Sequence, residues 1–323
     1  TGNVGRKTIE ILEKSKLSIN NLYLVASKNS AGKKISFKSK DILVEELENY
    51  DFSKAEITFF AAGSSIAKEW IPLVSKKTIV IDNSSYFRMK NDVPLVVPEV
   101  NSKELNSHKN IIANPNCSTI QMVLALKPLH DKYKIRRVVV STYQAVSGAG
   151  KSAMDELVSQ TKDYLNNKKI IPKNYTKQIA FNVIPHIDIF GDDGYTKEEL
   201  KMTNETKKIL DKDISVTATC VRVPVKTSHS ESINIEFKNT YDLSNIKKLL
   251  NNAPGCKVVD EQKDGGYVTP TESEGKHTTF VSRIRKDNSN SKAINLWVVS
   301  DNLLKGAALN SVQIAEALAT KKN

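Results

Sequence analysis

Cys117 is the residue of this sequence best placed to act as a nucleophile. An apolar segment, residues 111–113, and a proline turn precede it, and an apolar-periodic segment, residues 120–129, follows it. This order predicts a strand, a turn and a helix that begins near the cysteine. The helix dipole and the unpaired backbone N–H groups of the first helical turn would stabilise a thiolate there. A lone cysteine is more often simply buried, but a position at a strand-to-helix corner favours a nucleophile.

Two charged side chains, seven residues apart, could assist such a nucleophile. Arg222 lies among apolar residues of a predicted strand, where a carboxylate ligand would compensate for the cost of burying its charge. His229 follows at the end of that segment, and its ordinary pKa suits proton transfer near neutral pH. The alternative interpretation is a structural ion pair and a surface histidine.

Two loops could bind the remainder of a substrate. Residues 143–151 end a valine-rich strand with a glycine-containing loop, and glycines let the backbone approach a ligand closely. Residues 83–88 follow another predicted strand and combine two serines with an arginine, which is a reasonable cradle for an anion.

The bulk composition indicates a globular protein. The 323 residues suggest two domains, no signal peptide is visible, and no apolar run approaches the roughly 18 residues of a membrane helix. Three cysteines at unrelated spacings favour a reducing, cytoplasmic location, and no Cys/His cluster predicts a metal site. The net charge of +12 suggests a nucleic-acid-binding protein as an alternative, but the lysines are scattered and not interleaved with aromatics. We therefore expect a solvated basic surface that attracts anionic substrates, and no nucleic-acid or membrane partner.

The N-terminal part is predicted to be a Rossmann-type dinucleotide-binding domain of the α/β class. Residues 1–5 and the amphipathic segment after them look like the second half of a phosphate-binding glycine turn that opens a helix. Apolar strands at 22–26, 57–62 and 78–82, with a helix at 66–74, predict a doubly wound parallel sheet. The first of these strands ends without the Asp or Glu that binds the ribose of NAD, so NADP is the expected cofactor. The residues expected to bind it in this part of the chain are Thr1, Gly2, Asn3, Val4, Ser27, Asn29 and Ser30.

After Cys117 the pattern changes to long strands and fewer helices. Alternating segments at 137–143, 215–225, 232–237, 278–285 and 294–300 predict an α+β domain with a largely antiparallel sheet and one helical face. An apolar stripe over 304–318 predicts a last helix that returns to pack on the first domain. We therefore expect a dinucleotide-binding domain over 1–116, completed by the helix 303–323, and a catalytic domain over 117–302.

Several motifs, taken together, resemble those of the aspartate-β-semialdehyde dehydrogenases, in the variant common in Gram-positive bacteria. They are the segments 82–85, 97–101, 114–119, 147–151, 220–225 with His229 after it, and 300–308, and the resemblance runs in order from Thr1 to about Ala319. It implies NADPH-dependent reduction of L-aspartyl-4-phosphate to L-aspartate-4-semialdehyde and phosphate through a cysteine thioester. In the family, this reaction lies on the route to lysine, threonine and methionine.

The resemblance also implies roles for individual residues in the chemical steps. Cys117 matches the nucleophile, His229 the acid/base, and Gln144 the glutamine that positions the thioester intermediate. Further cofactor-binding positions that the resemblance implies are Ser147, Gly148 and Asn302.

Five residues match the substrate-binding positions of the family. Arg222 matches the binder of the substrate α-carboxylate, and Glu198 the acid that meets the substrate amino group. Lys201 matches the phosphate-binding lysine of the same short motif, and Arg88 and Asn116 match the other phosphate ligands.

The resemblance leaves one alternative enzyme to consider and implies that the chain forms a homodimer. N-acetyl-glutamyl-phosphate reductase shares the fold and the thiol chemistry, but its acetylated substrate nitrogen carries no charge for Glu198 to pair with. The second domain is expected to form a homodimer, with a tetramer left open.

The family usually has an arginine near Asn29, and its absence here leaves room for some use of NAD. The family chain also has a strand before the position of Thr1, and a molecule without it is expected to be less stable and to bind the cofactor less well.

Overall fold

The computed structural model describes residues 1–322, with side chains described as far as residue 320. Its strands are β1 (Leu24–Ala26), β2 (Lys34–Phe37), β3 (Lys40–Glu46), β4 (Ile57–Phe60), β5 (Ile79–Asp82), β6 (Ile111–Ala113), β7 (Ile135–Gln144), β8 (Ser215–Arg222), β9 (His229–Phe237), β10 (Cys256–Val258), β11 (Thr279–Lys286) and β12 (Ala293–Ser300). Its α-helices are α1 (Asn3–Lys14), α2 (Ser64–Val74), α3 (Pro98–Asn101), α4 (Cys117–Tyr133), α5 (Lys151–Leu165), α6 (Lys197–Ile209), α7 (Leu243–Asn252), α8 (Pro270–Ser273) and α9 (Leu309–Lys322). Short 3-10 helices lie at Leu47–Asn49, Phe52–Lys54, Ser102–Ser107 and Val146–Ala149, and a π-helical turn lies at Leu304–Ala308.

One compact unit comprises Thr1–Pro115 and the segment that begins at Ala307. Its strands β4, β5 and β6 form a parallel sheet, and β1 pairs in parallel with β3 in a second sheet. Helix α9 packs on α1 and against β5. Buried apolar side chains from these elements and their connections form one core: Ile81, Val96, Leu105, Ile112, Ile314, Ala315 and Leu318. Parallel strands covered by helices confirm the predicted α/β class.

The strands of this unit differ from a single parallel sheet in one respect. β2 and β3 form an antiparallel hairpin, and with β1 they make one three-stranded sheet. The strands β4, β5 and β6 make a second three-stranded sheet. Lys38 and Ser39, between β2 and β3, both have positive φ, at 48° and 63°. Two successive residues in this region make a type I′ turn, which joins neighbouring strands in an antiparallel hairpin. The turn lacks the Asn-Gly or Asp-Gly pair that usually marks it in a sequence.

The other compact unit, Asn116–Gly306, is built on a six-stranded sheet with the order β10-β11-β12-β9-β7-β8. The four central strands pair antiparallel, whereas the outer pairs β10–β11 and β7–β8 are parallel. The expected largely antiparallel sheet is confirmed. Helix α4 packs on one face of this sheet, where Met122 and Leu126 meet apolar strand residues such as Ile233 and Val298.

The topology of this sheet brings three candidate residues to one edge. β7 and β8 run in the same direction, so Gln144 and Arg222 at their carboxyl ends are paired. β9 runs in the opposite direction and begins at His229, so its first residue reaches the same edge. The sheet order therefore collects residues that are far apart in the sequence.

Candidate active site

Cys117 is the first residue of α4, and the residue before it caps the helix. The Asn116 side-chain oxygen accepts hydrogen bonds from the backbone N–H groups of Ser118, at 2.9 Å, and Thr119, at 3.2 Å. Cys117 is partly buried and forms no disulfide. The thiol therefore lies at the positive end of a buried, 17-residue helix, where a thiolate is favoured.

Gly306 lies against the nucleophile candidate. A Cβ atom added to Gly306 would come within 2.8 Å of the Cys117 Cβ and 3.3 Å of its Cα. A glycine is required at this position because any side chain would displace the cysteine.

A buried carboxylate joins three candidate residues beside the helix start. Glu198, 5% exposed, accepts hydrogen bonds from Asn116 Nδ2 at 2.9 Å and Gln144 Nε2 at 3.1 Å through one oxygen. Its other oxygen accepts from Lys201 Nζ at 3.1 Å. Burial alone would raise the pKa of Glu198, but the charge of Lys201 and the three hydrogen bonds bring it below its ordinary value. The carboxylate is therefore ionised at neutral pH.

Lys201 has a second anionic partner. Its Nζ donates to Asp188 Oδ2 at 2.8 Å, in a loop where Asp188 has a positive φ of 70°. Burial opposes the charge of the lysine, but Glu198 and Asp188 together raise its pKa. Lys201 is therefore a fixed cation at the margin of the cluster.

Arg222 and His229 meet at the backbone of Ala145. Arg222 Nη1 donates to the Ala145 carbonyl at 2.7 Å, and the Ala145 N–H donates to His229 Nδ1 at 3.0 Å. Burial, and then the nearby charge of Arg222, lower the pKa of His229 to about 3. The ring is therefore neutral at physiological pH, and since Nδ1 accepts, its proton is assigned to Nε2.

Arg222 and His229 each keep one polar atom that could bind a ligand. Within the described part of the chain, Arg222 Nε and His229 Nε2 are buried and make no hydrogen bond. A Cβ added to Gly148 would come within 3.0 Å of Arg222 Nη1 and 3.2 Å of His229 Nε2. The glycine thus leaves open the space beside Arg222 Nη1 and His229 Nε2, and a carboxylate or a carbonyl oxygen there could accept a hydrogen bond from His229 and pair with the Arg222 guanidinium.

Ser147 and Asn302 are hydrogen-bonded to each other next to this group. Ser147 Oγ lies 3.1 Å from Asn302 Oδ1 and 3.0 Å from its Nδ2. Asn302 Oδ1 also accepts from the Ser228 N–H at 2.9 Å, directly before His229. These contacts fix the turn that carries the histidine.

Arg88 lies in the unit that contains the N-terminus. Its Nη2 donates to the Asn83 carbonyl at 3.0 Å in the loop after β5, and the side chain is 8% exposed. The serine hydroxyls of this loop are already engaged, Ser84 with the Asp82 carboxylate at 2.7 Å and Ser85 with Ser64 at 3.0 Å. They hold the loop together, and the anion cradle stays a prediction.

The N-terminal cofactor residues surround the start of α1. A Cβ added to Gly2 or Gly5 would meet no atom within 4 Å, so the first turn of α1 faces open space. The Thr1 hydroxyl lies 3.4 Å from that of Ser30, in the turn after β1, and residues 27–33 contain no Asp or Glu. An open helix N-terminus beside hydroxyls, next to a turn without Asp or Glu, fits a phosphate-bearing cofactor. Other candidates in these two segments are Asn3, Val4, Ser27 and Asn29.

The structure thus brings ten candidates together in the unit Asn116–Gly306: Asn116, Cys117, Gln144, Ser147, Gly148, Glu198, Lys201, Arg222, His229 and Asn302. Arg88 and the N-terminal cofactor candidates belong to the other unit. The sequence did not single out Asp188, Glu205 or Gly306. Gly306 lies in the resemblance motif 300–308, but nothing local marks the two acids.

The described residues form neither a metal site of this kind nor a membrane-spanning helix. Among residues 1–322, no group of three or more His, Cys, Asp or Glu side chains is placed to hold a metal ion. In the same part of the chain, no helix is both long and apolar enough to cross a bilayer.

Comparison with known proteins gives consistent matches over the whole chain. Residues 1–108 match the family model of the semialdehyde dehydrogenase NAD binding domain, and residues 126–305 that of the semialdehyde dehydrogenase dimerisation domain. The aspartate-semialdehyde dehydrogenase of Rickettsia bellii is 49% identical over 321 residues, which cover 98% of this chain and 95% of that protein.

Solved structures agree. The structure of aspartate semialdehyde dehydrogenase II complexed with ASA from Vibrio cholerae has a TM-score of 0.96 at 44% identity, covering 99% of this chain and 96% of that one. The structure of aspartate semialdehyde dehydrogenase with NADP from Candida albicans has a TM-score of 0.78 at 27% identity, covering 100% and 97%. The chain therefore belongs to the aspartate-semialdehyde dehydrogenase family.

Proposed function

We propose that this chain is an NADP-dependent aspartate-semialdehyde dehydrogenase. It reduces L-aspartyl-4-phosphate to L-aspartate-4-semialdehyde and phosphate, a step toward lysine (through diaminopimelate), threonine and methionine. The observation that carries the proposal is the ionised Glu198, buried among Asn116, Gln144 and Lys201 next to the residue that precedes Cys117. A buried anion there suits a substrate with an ammonium group.

The charged groups match those of an aspartyl phosphate. Arg222, with a buried Nε that lacks a partner in the described residues, would bind the α-carboxylate, and Glu198 the ammonium group. Lys201 and Asn116, with Arg88, are the proposed phosphate ligands. A cation and hydrogen-bond donors stabilise the charge that phosphate gains as it leaves.

The thiolate of Cys117 attacks the acyl carbon. The C–O bond to phosphate breaks, phosphate departs with the electron pair, and a thioester remains on the cysteine. Gln144, held by Glu198 at 3.1 Å, would keep the thioester in one orientation. Aldehyde is released when the C–S bond of the reduced adduct breaks and the thiolate is restored.

His229 would assist at the oxygen of the adduct. Its ring is neutral, and the Ala145 N–H fixes the proton on Nε2. A neutral imidazole N–H can polarise a carbonyl and can stabilise the oxyanion that forms when the thioester is reduced. The Nε2 proton can pass to this oxygen, and it returns to Nε2 when the adduct collapses to the aldehyde and the thiolate.

NADPH, when bound, supplies the hydride that reduces the thioester. The residues proposed to hold it are those around the start of α1 (Thr1, Gly2, Asn3, Val4), those after β1 (Ser27, Asn29, Ser30), and Ser147, Gly148 and Asn302. The open first turn of α1 and the acid-free turn after β1 support a cofactor with a 2′-phosphate.

Glu198 also argues against the rival substrate. N-acetyl-glutamyl phosphate has an amide nitrogen without charge, so it would offer the buried carboxylate no cation in addition to Lys201. The ionised state of Glu198 therefore favours a free amino group.

We place the cofactor domain at 1–116 with 303–323, and the catalytic and dimerisation domain at 117–302. The compact units, which change at Pro115–Asn116 and Gly306–Ala307, support this division.

The second unit exposes large apolar side chains, which suits a homodimer contact: Tyr164, Leu165, Ile171, Phe181, Val183, Ile189 and Phe190. Light scattering should give twice the 35.9 kDa of the monomer, or four times it for a tetramer. Three free cysteines support a cytoplasmic location.

An absorbance assay in the reverse direction tests the reaction. Aspartate semialdehyde, phosphate and NADP are supplied to the wild type and to Cys117→Ala. The proposal requires NADPH to appear only with the wild type and only with phosphate present. N-acetyl-glutamate semialdehyde in place of the first substrate should give no turnover, and a preference for it would refute the substrate assignment.

A further inference from the structure

We propose that Glu205 is a positioning residue for the nucleophile. Its carboxylate holds the backbone of Asn116, and it thereby fixes the turn that presents Cys117 at the start of α4. The inference deepens the proposed function and rests on it for the role of Cys117.

The geometry joins helix α6 to the residue before the cysteine. Glu205 is 1% exposed, and its Oε2 accepts the Asn116 N–H at 2.7 Å. Glu198, seven residues earlier and so on the same face of α6, accepts from Asn116 Nδ2 at 2.9 Å. One helix face therefore holds both the main chain and the side chain of Asn116.

The other polar groups of Asn116 are also engaged. Its side-chain oxygen caps α4, and its carbonyl accepts the Ile120 N–H at 2.9 Å. With all four groups bound, neither the backbone nor the side chain of Asn116 can rotate without breaking a hydrogen bond. The direction in which Cys117 leaves the turn is therefore set, and Glu205 supplies the one restraint on the main-chain N–H.

A carboxylate is well suited to this restraint. Hydrogen bonds from an N–H group to an ionised oxygen are shorter and about twice as strong as neutral ones. Burying such a group is costly unless it is hydrogen-bonded, so a carboxylate at this depth indicates a definite partner. The peptide next to the proposed nucleophile is such a partner, at 2.7 Å.

The same helix offers a matched comparison. Glu199 is also buried, and it accepts the backbone N–H groups of Cys220, at 3.0 Å, and Thr196, at 2.8 Å. Glu199 therefore holds strand β8 and the start of α6. Glu199 and Glu205 thus perform the same chemistry on different segments, and only Glu205 should affect the cysteine.

The test uses the full chain with Glu205→Leu, Glu205→Gln and Glu199→Leu. Three quantities are measured: the rate of Cys117 alkylation by iodoacetamide with Cys117→Ala as the blank, kcat and KM in the reverse assay, and the thermal midpoint. In Glu205→Leu, alkylation and kcat should fall together by at least about tenfold, with KM changed by less than about threefold. Glu205→Gln keeps an oxygen acceptor and should recover both to within about threefold.

Glu199→Leu should lower the thermal midpoint and leave alkylation and kcat within about threefold of wild type. Three results would each overturn the proposal: equal losses in the Glu199 and Glu205 variants, alkylation at the wild-type rate in folded Glu205→Leu, or no recovery of alkylation and kcat in Glu205→Gln.

If Glu205→Leu does not fold, Glu205→Asp replaces it, because the shorter side chain keeps the carboxylate but withdraws it from the Asn116 N–H. Wild-type alkylation in Glu205→Asp then overturns the proposal. A wild type without turnover, but with Glu205-dependent alkylation, would refute the proposed function and leave this inference standing.

Discussion

Gly306 approaches Cys117 so closely that a methyl group on the glycine would lie 2.8 Å from the cysteine Cβ. Real Cβ atoms do not come this near, and the atoms that would have to move belong to the nucleophile itself. The contact therefore couples a residue near the end of the second unit to the start of α4.

Gly306→Ala should reduce both turnover and alkylation of Cys117. Displacing a reacting group by about 1 Å can reduce a rate by about a hundredfold, and we expect a loss of about tenfold to a hundredfold. Gly266→Ala is the matched control, since its Cβ would clash with the Glu261 backbone, away from Cys117. Both variants should lose stability, and alkylation at the wild-type rate in Gly306→Ala would contradict the prediction.

Gly148→Ala should weaken binding of the substrate carboxylate. The added methyl group would lie 3.0 Å from Arg222 Nη1 and 3.2 Å from the His229 ring, in the space where the carboxylate is proposed to enter. KM for aspartate semialdehyde should rise about tenfold, equivalent to about 1.4 kcal/mol, with a smaller change in KM for phosphate. Equal effects on both KM values would argue against a carboxylate site beside Gly148.

His229 should make the protein less stable in mild acid. Its pKa is lowered to about 3 by burial, below the ordinary 6.5 that it recovers on unfolding. The unfolded chain therefore binds the extra proton, and the contribution, present above about pH 6.5, is lost as the pH falls toward 3. Urea unfolding at pH 7 and 5.5 should show the wild type losing up to about 1.4 kcal/mol per pH unit relative to His229→Gln. Parallel pH dependence in the two proteins would mean that the histidine is not buried neutral.

Glu231 should produce the opposite trend. It is fully buried, and burial raises its pKa well above the ordinary value, although the Gln121 side chain acts in the other direction. The folded chain therefore holds the proton longer, and the contribution, present below about pH 4.5, is lost as the pH rises. Relative to the uncharged isostere Glu231→Gln, the wild type should lose about 1.4 kcal/mol per pH unit above pH 4.5. Unfolding curves at pH 5 and 6.5 check this, and a difference independent of pH would disprove it.

Asp188→Asn should strengthen the binding of phosphate. Asp188 pairs with Lys201 at 2.8 Å, so it partly neutralises the proposed phosphate ligand. Since both side chains are partly exposed, the gain should be modest, a two- to fivefold lower KM for phosphate, or about 0.4–1 kcal/mol. Asp155→Asn, which removes the exposed ion pair with Lys151, is the control and should change nothing. A higher KM for phosphate in Asp188→Asn would mean that Asp188 orients the lysine.

The sequence predicts the features that depend on neighbouring residues. The position of Cys117 at the start of a helix follows from a strand, a proline and an apolar period within about twenty residues. The long strands of the second unit were found for the same reason, because alternation is a local pattern. The direction in which strands pair is not local, and the parallel pairing of β7 with β8 could be seen only in the structure.

The contacts that complete the site lie beyond such patterns. Glu205 reaches Asn116 across 89 residues, and nothing around either residue indicates that they meet. Glu198 and Lys201 were found only through a resemblance, since a pair of acids before a lysine is common on exposed helices. The hairpin turn at Lys38 and Ser39 was missed because non-glycine residues adopt its positive φ values.

The contact between Cys117 and Gly306 also joins the two ends of the segment Asn116–Gly306. A segment whose ends touch can be inserted into a loop of a host chain, or closed by a short linker, without distorting either fold. The thiol and its buried carboxylate cluster would travel with that segment as one module. Acyl transfer to the cysteine, for which this module supplies every proposed residue except Arg88, could therefore be studied apart from the reduction and without the rest of the cofactor domain.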